Sequence, residues 1–200
     1  MLKELKNPLR LSFIGGGINS SIGKILLKSS QLDKNFSIES GFFSRDKKTN
    51  IETQKQYNIN INRIYNNLDN LLANEGKKVD LFVVLAPTPN HYEILKKLIL
   101  NNVNIIVEKP ILSNFDEVKK LKKYLKGYNK KIYVVHNYIG YPAIREIQQL
   151  IQSNKFGKLL NFKLQMAQES FLRVQRKDQK VKIWRKHDHK IPNLFLDLGI

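Results

Sequence analysis

Cysteine is absent from the 200 residues, which excludes disulfides and thiolate metal sites. The longest apolar run, residues 81–86, is far shorter than the roughly 20 residues that a membrane-spanning helix needs. The basic residues Lys3, Lys6 and Arg10 come before any apolar segment, a pattern unlike that of a secretory signal. We therefore expect a cytoplasmic protein with no metal ion and no membrane partner.

Acidic residues are also scarce, with 17 Asp and Glu against 35 Lys and Arg and a formal net charge of +18. A basic excess of this size is often found in nucleic-acid-binding proteins. Here the lysines are scattered along helix-like segments, as in 96–97 and 119–123, and no arginine-rich arm with interleaved aromatics accompanies them. We therefore expect no nucleic-acid partner.

Strand-like and helix-like segments alternate along the chain. The predicted strands are 9–14, 37–43, 63–65, 79–86, 104–107 and 131–135, and the predicted helices are 20–29, 47–57, 68–73, 92–100, 116–125 and 143–152. Runs such as 81–85 are continuously apolar, as strands covered by helices on both faces require. The pattern predicts an α/β fold with a doubly wound parallel sheet of the Rossmann type.

The pattern of apolar, polar and charged residues changes near residue 158. Residues 159–166 alternate apolar and polar side chains, which is typical of a strand with one wet face. Residues 171–190 are rich in charge and lack apolar periodicity, so we interpret them as a loop. We expect a nucleotide-binding domain over 1–138 and the start of a second, α+β domain over 139–200, incomplete here and serving substrate binding and oligomerisation.

Three consecutive glycines follow the first predicted strand and precede the first predicted helix. In dinucleotide-binding domains such a turn lets the backbone approach the diphosphate, which binds to unpaired N–H groups at the helix start. Ser20 stands where the third glycine of G-x-G-x-x-G is usual, so we expect Gly23 to provide the close helix-to-strand approach. The residues predicted to bind the cofactor at this turn are Gly15, Gly17, Asn19, Ser20, Ser21 and Ile22.

The end of the second predicted strand bears on the choice between NAD and NADP. A carboxylate at this place binds the ribose 2′-hydroxyl of NAD, and a basic group binds the 2′-phosphate of NADP. Ser44 stands where the acid is expected and Arg45 follows it, which favours NADP. The alternative is that Arg45 is a solvated turn residue and Asp46 a helix N-cap.

Four further segments complete a pattern, namely Leu85-Ala86-Pro87-Thr88-Pro89-Asn90-His91, Val107-Glu108-Lys109-Pro110, Trp184-Arg185 and Asp197-Leu198-Gly199. In order and spacing they resemble the Gfo/Idh/MocA oxidoreductases. The triple-glycine turn and residues 136–142 are similar to a MocA-like branch of that family.

The resemblance implies roles for individual residues. Lys109 would lie beside the nicotinamide and the substrate hydroxyl, where a desolvated lysine suits proton transfer, and Asp197 would orient the substrate. The cofactor-binding residues that it adds are Pro87, Thr88, Asn90, His91, Glu108, Lys109, Asn137, Trp184 and Arg185. For His91 an ordinary position at a helix start is the alternative.

The family's Asp-x-Gly-x-His motif begins at Asp197 and Gly199, and the sequence ends one residue before the histidine. We therefore expect a chain truncated in its C-terminal domain. The resemblance implies an NAD(P)-dependent dehydrogenase that acts on a sugar, polyol or related hydroxy compound and is a homo-oligomer at full length. The alternatives are a noncatalytic nucleotide-binding or partner-binding module and an NAD-assisted glycosidase.

Overall fold

The computed structural model describes residues 7–163 and residue 165. These residues divide into two compact units, one over 7–135 and one that begins at His136. The first unit holds five strands and five α-helices. The strands are β1 (Leu9–Gly15), β2 (Phe36–Phe42), β3 (Leu81–Leu85), β4 (Ile105–Glu108) and β5 (Ile132–Val135), and the helices are α1 (Ser21–Leu32), α2 (Lys47–Tyr57), α3 (Leu68–Glu75), α4 (His91–Leu100) and α5 (Phe115–Lys122).

The five strands form one parallel sheet in the order β2-β1-β3-β4-β5. The central strand β3 is buried at every position, which explains its unbroken apolar sequence. Its alternate side chains enter two different hydrophobic clusters. Residues of α3, α4 and α5 complete one cluster, and residues of α1 and α2 complete the other. Helices therefore cover both faces, and the predicted doubly wound α/β fold is confirmed.

Short polar side chains begin several of these helices. The side chain of Ser20 accepts a hydrogen bond at the start of α1, and Asp46, Asn67 and Asn114 do the same for α2, α3 and α5. Each supplies an acceptor to backbone N–H groups that have no partner within the helix. These caps fix where the helices begin.

The predicted strand at 63–65 is wrong as a strand. Ile61–Arg63 is a single 3-10 turn, and only Ile64 pairs with the sheet, in one parallel bridge to Gly41 of β2. The side chain of Asn60 accepts from the backbone N–H of Asn62, which favours the turn over an extended segment. The bridge nevertheless lies on the free side of β2, where a sixth strand would extend the sheet.

The second unit contains a 3-10 turn (Asn137–Gly140) and helix α6 (Pro142–Gln152). Within the described residues 158–163 no strand is present, so the predicted strand at 159–166 is wrong over that part. Leu160 and Phe162, expected on a covered face, are 87% and 64% exposed. Within the described residues this segment has no strand to pair with, and so no ladder of hydrogen bonds holds it extended.

Candidate functional site

The candidate site lies at the carboxyl edge of the sheet, where β1, β3 and β4 end side by side. Gly15 at the end of β1 pairs with Leu85 at the end of β3, and Val84 pairs with Val107 of β4. The chain leaves β1 toward β2 and leaves β3 toward β4. The connections thus diverge between β1 and β3, the switch point at which open parallel sheets bind ligands.

Two glycines, one at the turn after β1 and one in the first turn of α1, allow no side chain. Gly15 has φ +82°, and a Cβ there would lie 2.8 Å from the backbone nitrogen of Ala86, so the turn packs directly against the end of β3. A Cβ on Gly23 would overlap the carbonyl group of Gly16. Gly23 therefore provides a close approach of α1 to the turn at Gly16, one residue beyond the end of the strand that the sequence analysis had named as the partner.

Hydrogen bonds within the turn leave a defined set of donors unused. The N–H of Ile18 donates to Thr53 Oγ1 (3.1 Å), that of Ser20 to Gly17 O (2.7 Å) and that of Gly23 to Ser20 Oγ (3.2 Å). Among the described residues, the N–H groups of Asn19, Ser21 and Ile22 have no acceptor. The first turn of α1 carries no acidic side chain, so these donors and the positive end of the helix dipole can take an anion.

The turn after β2 is held by reciprocal hydrogen bonds. The N–H of Ser44 donates to Asn50 Oδ1 (2.8 Å), and Asn50 Nδ2 donates to Ser44 O (2.9 Å). The Asp46 carboxylate accepts from Lys48 N, Thr49 N and Thr49 Oγ1, so Asp46 is the N-cap of α2. These hydrogen bonds lower the pKa of Asp46, and the bond from the Thr49 hydroxyl has the largest effect. Arg45, which stands between Ser44 and Asp46 in the sequence, is exposed.

The turn after β3 combines exposed and buried residues. Thr88–Asn90 forms a 3-10 turn in which Thr88 is buried, while Pro87 is exposed and Asn90 half-buried. Next in the chain, His91 is 1% exposed. Its Nε2 lies 2.8 Å from Ala86 O, and its Nδ1 lies 3.0 Å from Pro110 O and 3.2 Å from Ile111 O. Burial lowers the pKa of His91, and the carbonyl groups oppose that shift. His91 thus joins this turn to the loop after β4.

Glu108 is the last residue of the neighbouring strand β4, and Lys109 follows it. Both side chains are half-buried, and the Lys109–Pro110 peptide is cis. Burial raises the pKa of Glu108, while the charge of Lys109 acts in the opposite direction. Glu108 Oε1 is buried and has no hydrogen-bond partner among the described residues, so an acceptor is left for a ligand group.

Four predicted site residues remain. Asn137 is exposed at the start of the 3-10 turn in the second unit, and Trp184, Arg185 and Asp197 lie outside the described residues. Over 7–163 and 165, no group of three or more metal-ligating side chains is present, and no helix there has the length and hydropathy to cross a bilayer.

Sequence reasoning missed three buried polar residues of α2, namely Asn50, Thr53 and Tyr57. All three point to the turns described above, and the hydroxyl of Tyr57 donates to Gly16 O at 2.8 Å. Their spacing places them on one helix face. A face of uncharged polar residues on an otherwise charged helix is the signal that could have found them.

Comparisons with known proteins agree with this geometry. The model of the Gfo/Idh/MocA oxidoreductase family, which has an NAD-binding Rossmann fold, matches residues 9–136. An uncharacterized oxidoreductase of Bacillus subtilis, YfiI, is 27% identical over 159 residues, covering 78% of this chain and 40% of that protein. The uncharacterized yeast protein YMR315W of Saccharomyces cerevisiae is 26% identical over 156 residues, covering 78% of this chain and 43% of that protein.

Solved structures share the fold. An inositol dehydrogenase homolog of Azotobacter vinelandii, solved with NADH and myo-inositol, superposes with a TM-score of 0.71 at 24% identity, covering 78% of this chain and 42% of that one. The chain thus spans about two fifths of the length of the relatives that it matches. Because the family model covers more than half of the sequence and the motifs had predicted the same group, the chain belongs to the Gfo/Idh/MocA family of NAD-binding oxidoreductases.

Proposed function

We propose that the chain provides the nucleotide-binding part of an NAD(P)-dependent dehydrogenase that oxidises or reduces a carbinol carbon of a sugar, polyol or related hydroxy compound. The observation that carries this proposal is the set of unused N–H donors of Asn19, Ser21 and Ile22 at the start of α1, directly behind the glycine turn. Donors of this kind fit a diphosphate group. The polyol substrate is inferred from the inositol dehydrogenases among the structural neighbours.

The residues at the carboxyl edge have distinct tasks in this proposal. The N–H groups of α1 bind the diphosphate, and the half-buried Glu108 accepts a hydrogen bond from a polar group of the ligand. Lys109 holds or moves the proton of the substrate hydroxyl. A bound nicotinamide supplies the hydride acceptor or donor. In the same proposal, Asp197 orients the substrate. The cofactor also contacts Asn137, Trp184 and Arg185.

We further propose that the cofactor is NADP rather than NAD. Asp46, the nearest carboxylate after β2, is engaged as the N-cap of α2, so it is a poor acceptor for a ribose diol. The neighbouring Arg45 is exposed and can present its guanidinium to a 2′-phosphate. A cytoplasmic location, a homo-oligomeric full-length protein and the lack of a nucleic-acid partner stay predictions.

A charge placed in the first turn of α1 tests the proposal. Ser21→Asp adds a carboxylate that is favourable for the helix dipole but repels a diphosphate. We expect this variant to keep its thermal stability and lose NADPH and NADH binding in a fluorescence titration. Ser29→Asp adds the same charge to the last turn of α1 and should bind as the unmodified chain does. Binding that survives Ser21→Asp would place the dinucleotide elsewhere, and an unmodified chain that binds neither dinucleotide would reject the proposed function.

A further inference from the structure

Ordering the glycine turn has a cost in conformational entropy. Gly15 and Gly16 both have positive φ, at +82° and +72°, and glycine backbones lose the most conformational freedom on ordering. A ligand that binds to a disordered turn must supply the free energy of ordering it, which weakens its affinity. The residues that order the turn before the ligand arrives therefore control how tightly the ligand binds.

Helix α2 makes these ordering contacts. Thr53, which is fully buried, accepts the N–H of Ile18 at 3.1 Å and donates its hydroxyl proton to Thr49 O at 2.6 Å. Tyr57 is 5% exposed and donates to Gly16 O at 2.8 Å. These two hydrogen bonds hold the backbone of the glycine turn on either side of Gly17, at Gly16 and at Ile18.

The third polar residue of the same face extends this contact to the next turn. Asn50 is 2% exposed and bonds both backbone groups of Ser44, next to Arg45. Asn50 and Thr53 are three residues apart, and Thr53 and Tyr57 are four apart, so all three project from one side of α2. A single helix face thus fixes the turn after β1 and the turn after β2.

We propose that Asn50, Thr53 and Tyr57 are positioning residues that preorganise the dinucleotide site, with Thr53 and Tyr57 setting the diphosphate turn and Asn50 setting the turn that carries Arg45. This inference rests on the proposed function, because it assigns these residues an effect on dinucleotide affinity. Each acts through backbone groups and none has to touch the ligand. Burial raises the pKa of Tyr57, so its hydroxyl stays protonated and remains a donor.

A matched pair of tyrosine variants tests the proposal. Tyr57→Phe removes the bond to Gly16 O and keeps the ring that packs edge-on against Phe43 at 5.6 Å between centroids. Tyr128→Phe removes a hydroxyl that donates to Val103 O at 2.7 Å and lies 3.2 Å from Lys131 O, next to the amino ends of the strands. We expect Tyr57→Phe to weaken NADPH binding about fivefold, the effect of one net hydrogen bond. Tyr128→Phe should change it by less than about twofold, even where the two variants lose equal thermal stability.

A second pair keeps the test decisive if Tyr57→Phe fails to fold. Thr53→Ser retains the hydroxyl and should bind NADPH within about twofold of the unmodified chain, while the isosteric Thr53→Val should lose about fivefold or more. Equal affinities for Thr53→Ser and Thr53→Val, or equal losses at Tyr57 and Tyr128, would overturn the proposal and leave α2 an ordinary packing element. An unmodified chain that binds no NADPH would instead remove the proposed function, and this inference with it.

Discussion

Nδ1 of the His91 imidazole lies 3.0 Å from the carbonyl oxygen of Pro110. Nε2 of the same ring lies 2.8 Å from Ala86 O, so the imidazole lies between the turn after β3 and the loop that begins with Lys109, and in its neutral form it donates to one of the two carbonyl groups. A helix-start position was the alternative to a cofactor contact at this residue, and His91 is indeed the first residue of α4. Direct contact of His91 with the cofactor stays a prediction.

Acid should destabilise the protein partly through His91. Burial is the main cause that lowers the pKa of His91, so in mild acid the unfolded chain binds this proton and the folded chain does not. The stability that His91 contributes is therefore full above the unfolded pKa of about 6.5 and is lost as the pH falls below it. We expect urea unfolding to show a decrease in the free energy of unfolding between about pH 6.5 and 5 that is smaller in His91→Gln. A glutamine variant with the same pH dependence would contradict this.

Gly23→Ala should destabilise the fold, although alanine favours helices over glycine by about 1 kcal/mol. The new Cβ would overlap the backbone of Gly16, and neither backbone segment can move without opening the glycine turn. We expect a loss of about 1–3 kcal/mol in the free energy of unfolding together with loss of NADPH binding.

Gly140→Ala is the control for this prediction, since a Cβ at Gly140 meets nothing within 4 Å. Its free energy of unfolding should change by less than about 0.5 kcal/mol. Equal losses in the free energy of unfolding for Gly23→Ala and Gly140→Ala would show that the close approach of α1 to the turn does not contribute to stability.

The sequence predicted the sheet well because buried parallel strands leave a strong local pattern. The run Leu81–Leu85 is apolar throughout and is the central strand, and the predicted helix 47–57 has the bounds of α2. The segment around Ile64 was harder, because its single bridge to Gly41 depends on the edge of β2 rather than on its own residues.

The side chains that hold the site together were beyond local pattern reading. Thr53 bonds Ile18 across 35 residues and Tyr57 bonds Gly16 across 41, so their partners are known only once α2 is packed on the sheet. The glycine turn itself was predictable, because its glycines stand between the first strand and the first helix of an alternating chain. Positions that the backbone alone requires were therefore found, and long-range side-chain partners were not.

A buried ion pair beside β2 should dominate the stability of that region. Glu75 is fully buried, and its carboxylate accepts from Arg63 Nε at 3.1 Å, Arg63 Nη2 at 2.7 Å and the Tyr65 hydroxyl at 2.8 Å. Burial alone would raise the pKa of Glu75, but these hydrogen bonds outweigh it and hold the pKa below its ordinary value. Its contribution is therefore present at neutral pH and is lost as the pH falls through the pKa of the folded state.

We expect Glu75→Gln to lower the free energy of unfolding by about 2 kcal/mol at pH 7, because the Arg63 guanidinium and the Tyr65 hydroxyl lose a charged, buried acceptor, while Arg63 keeps its ion pair with Glu39 at 2.7 Å. Asp69→Asn is the comparison, since Asp69 pairs with Lys97 at the surface. Exposed pairs contribute little, so this variant should lose less than about 1 kcal/mol. Urea unfolding of both variants measures the difference, and losses of equal size would refute the dominance of the buried pair.

Charge reversal at Arg45 should change the affinity for NADPH but not the affinity for NADH. Arg45→Glu removes the guanidinium proposed to bind the 2′-phosphate and places a carboxylate beside it, so we expect NADPH binding to weaken about tenfold or more. NADH lacks the 2′-phosphate, and its affinity should stay within about twofold. Lys55→Glu makes the same charge change in the last turn of α2 and should spare both ligands. Fluorescence titrations with NADPH and NADH give the four comparisons. Equal weakening of NADPH and NADH binding in Arg45→Glu would mean that Arg45 is a solvated turn residue beside the Asp46 cap and that the preference for NADP is wrong.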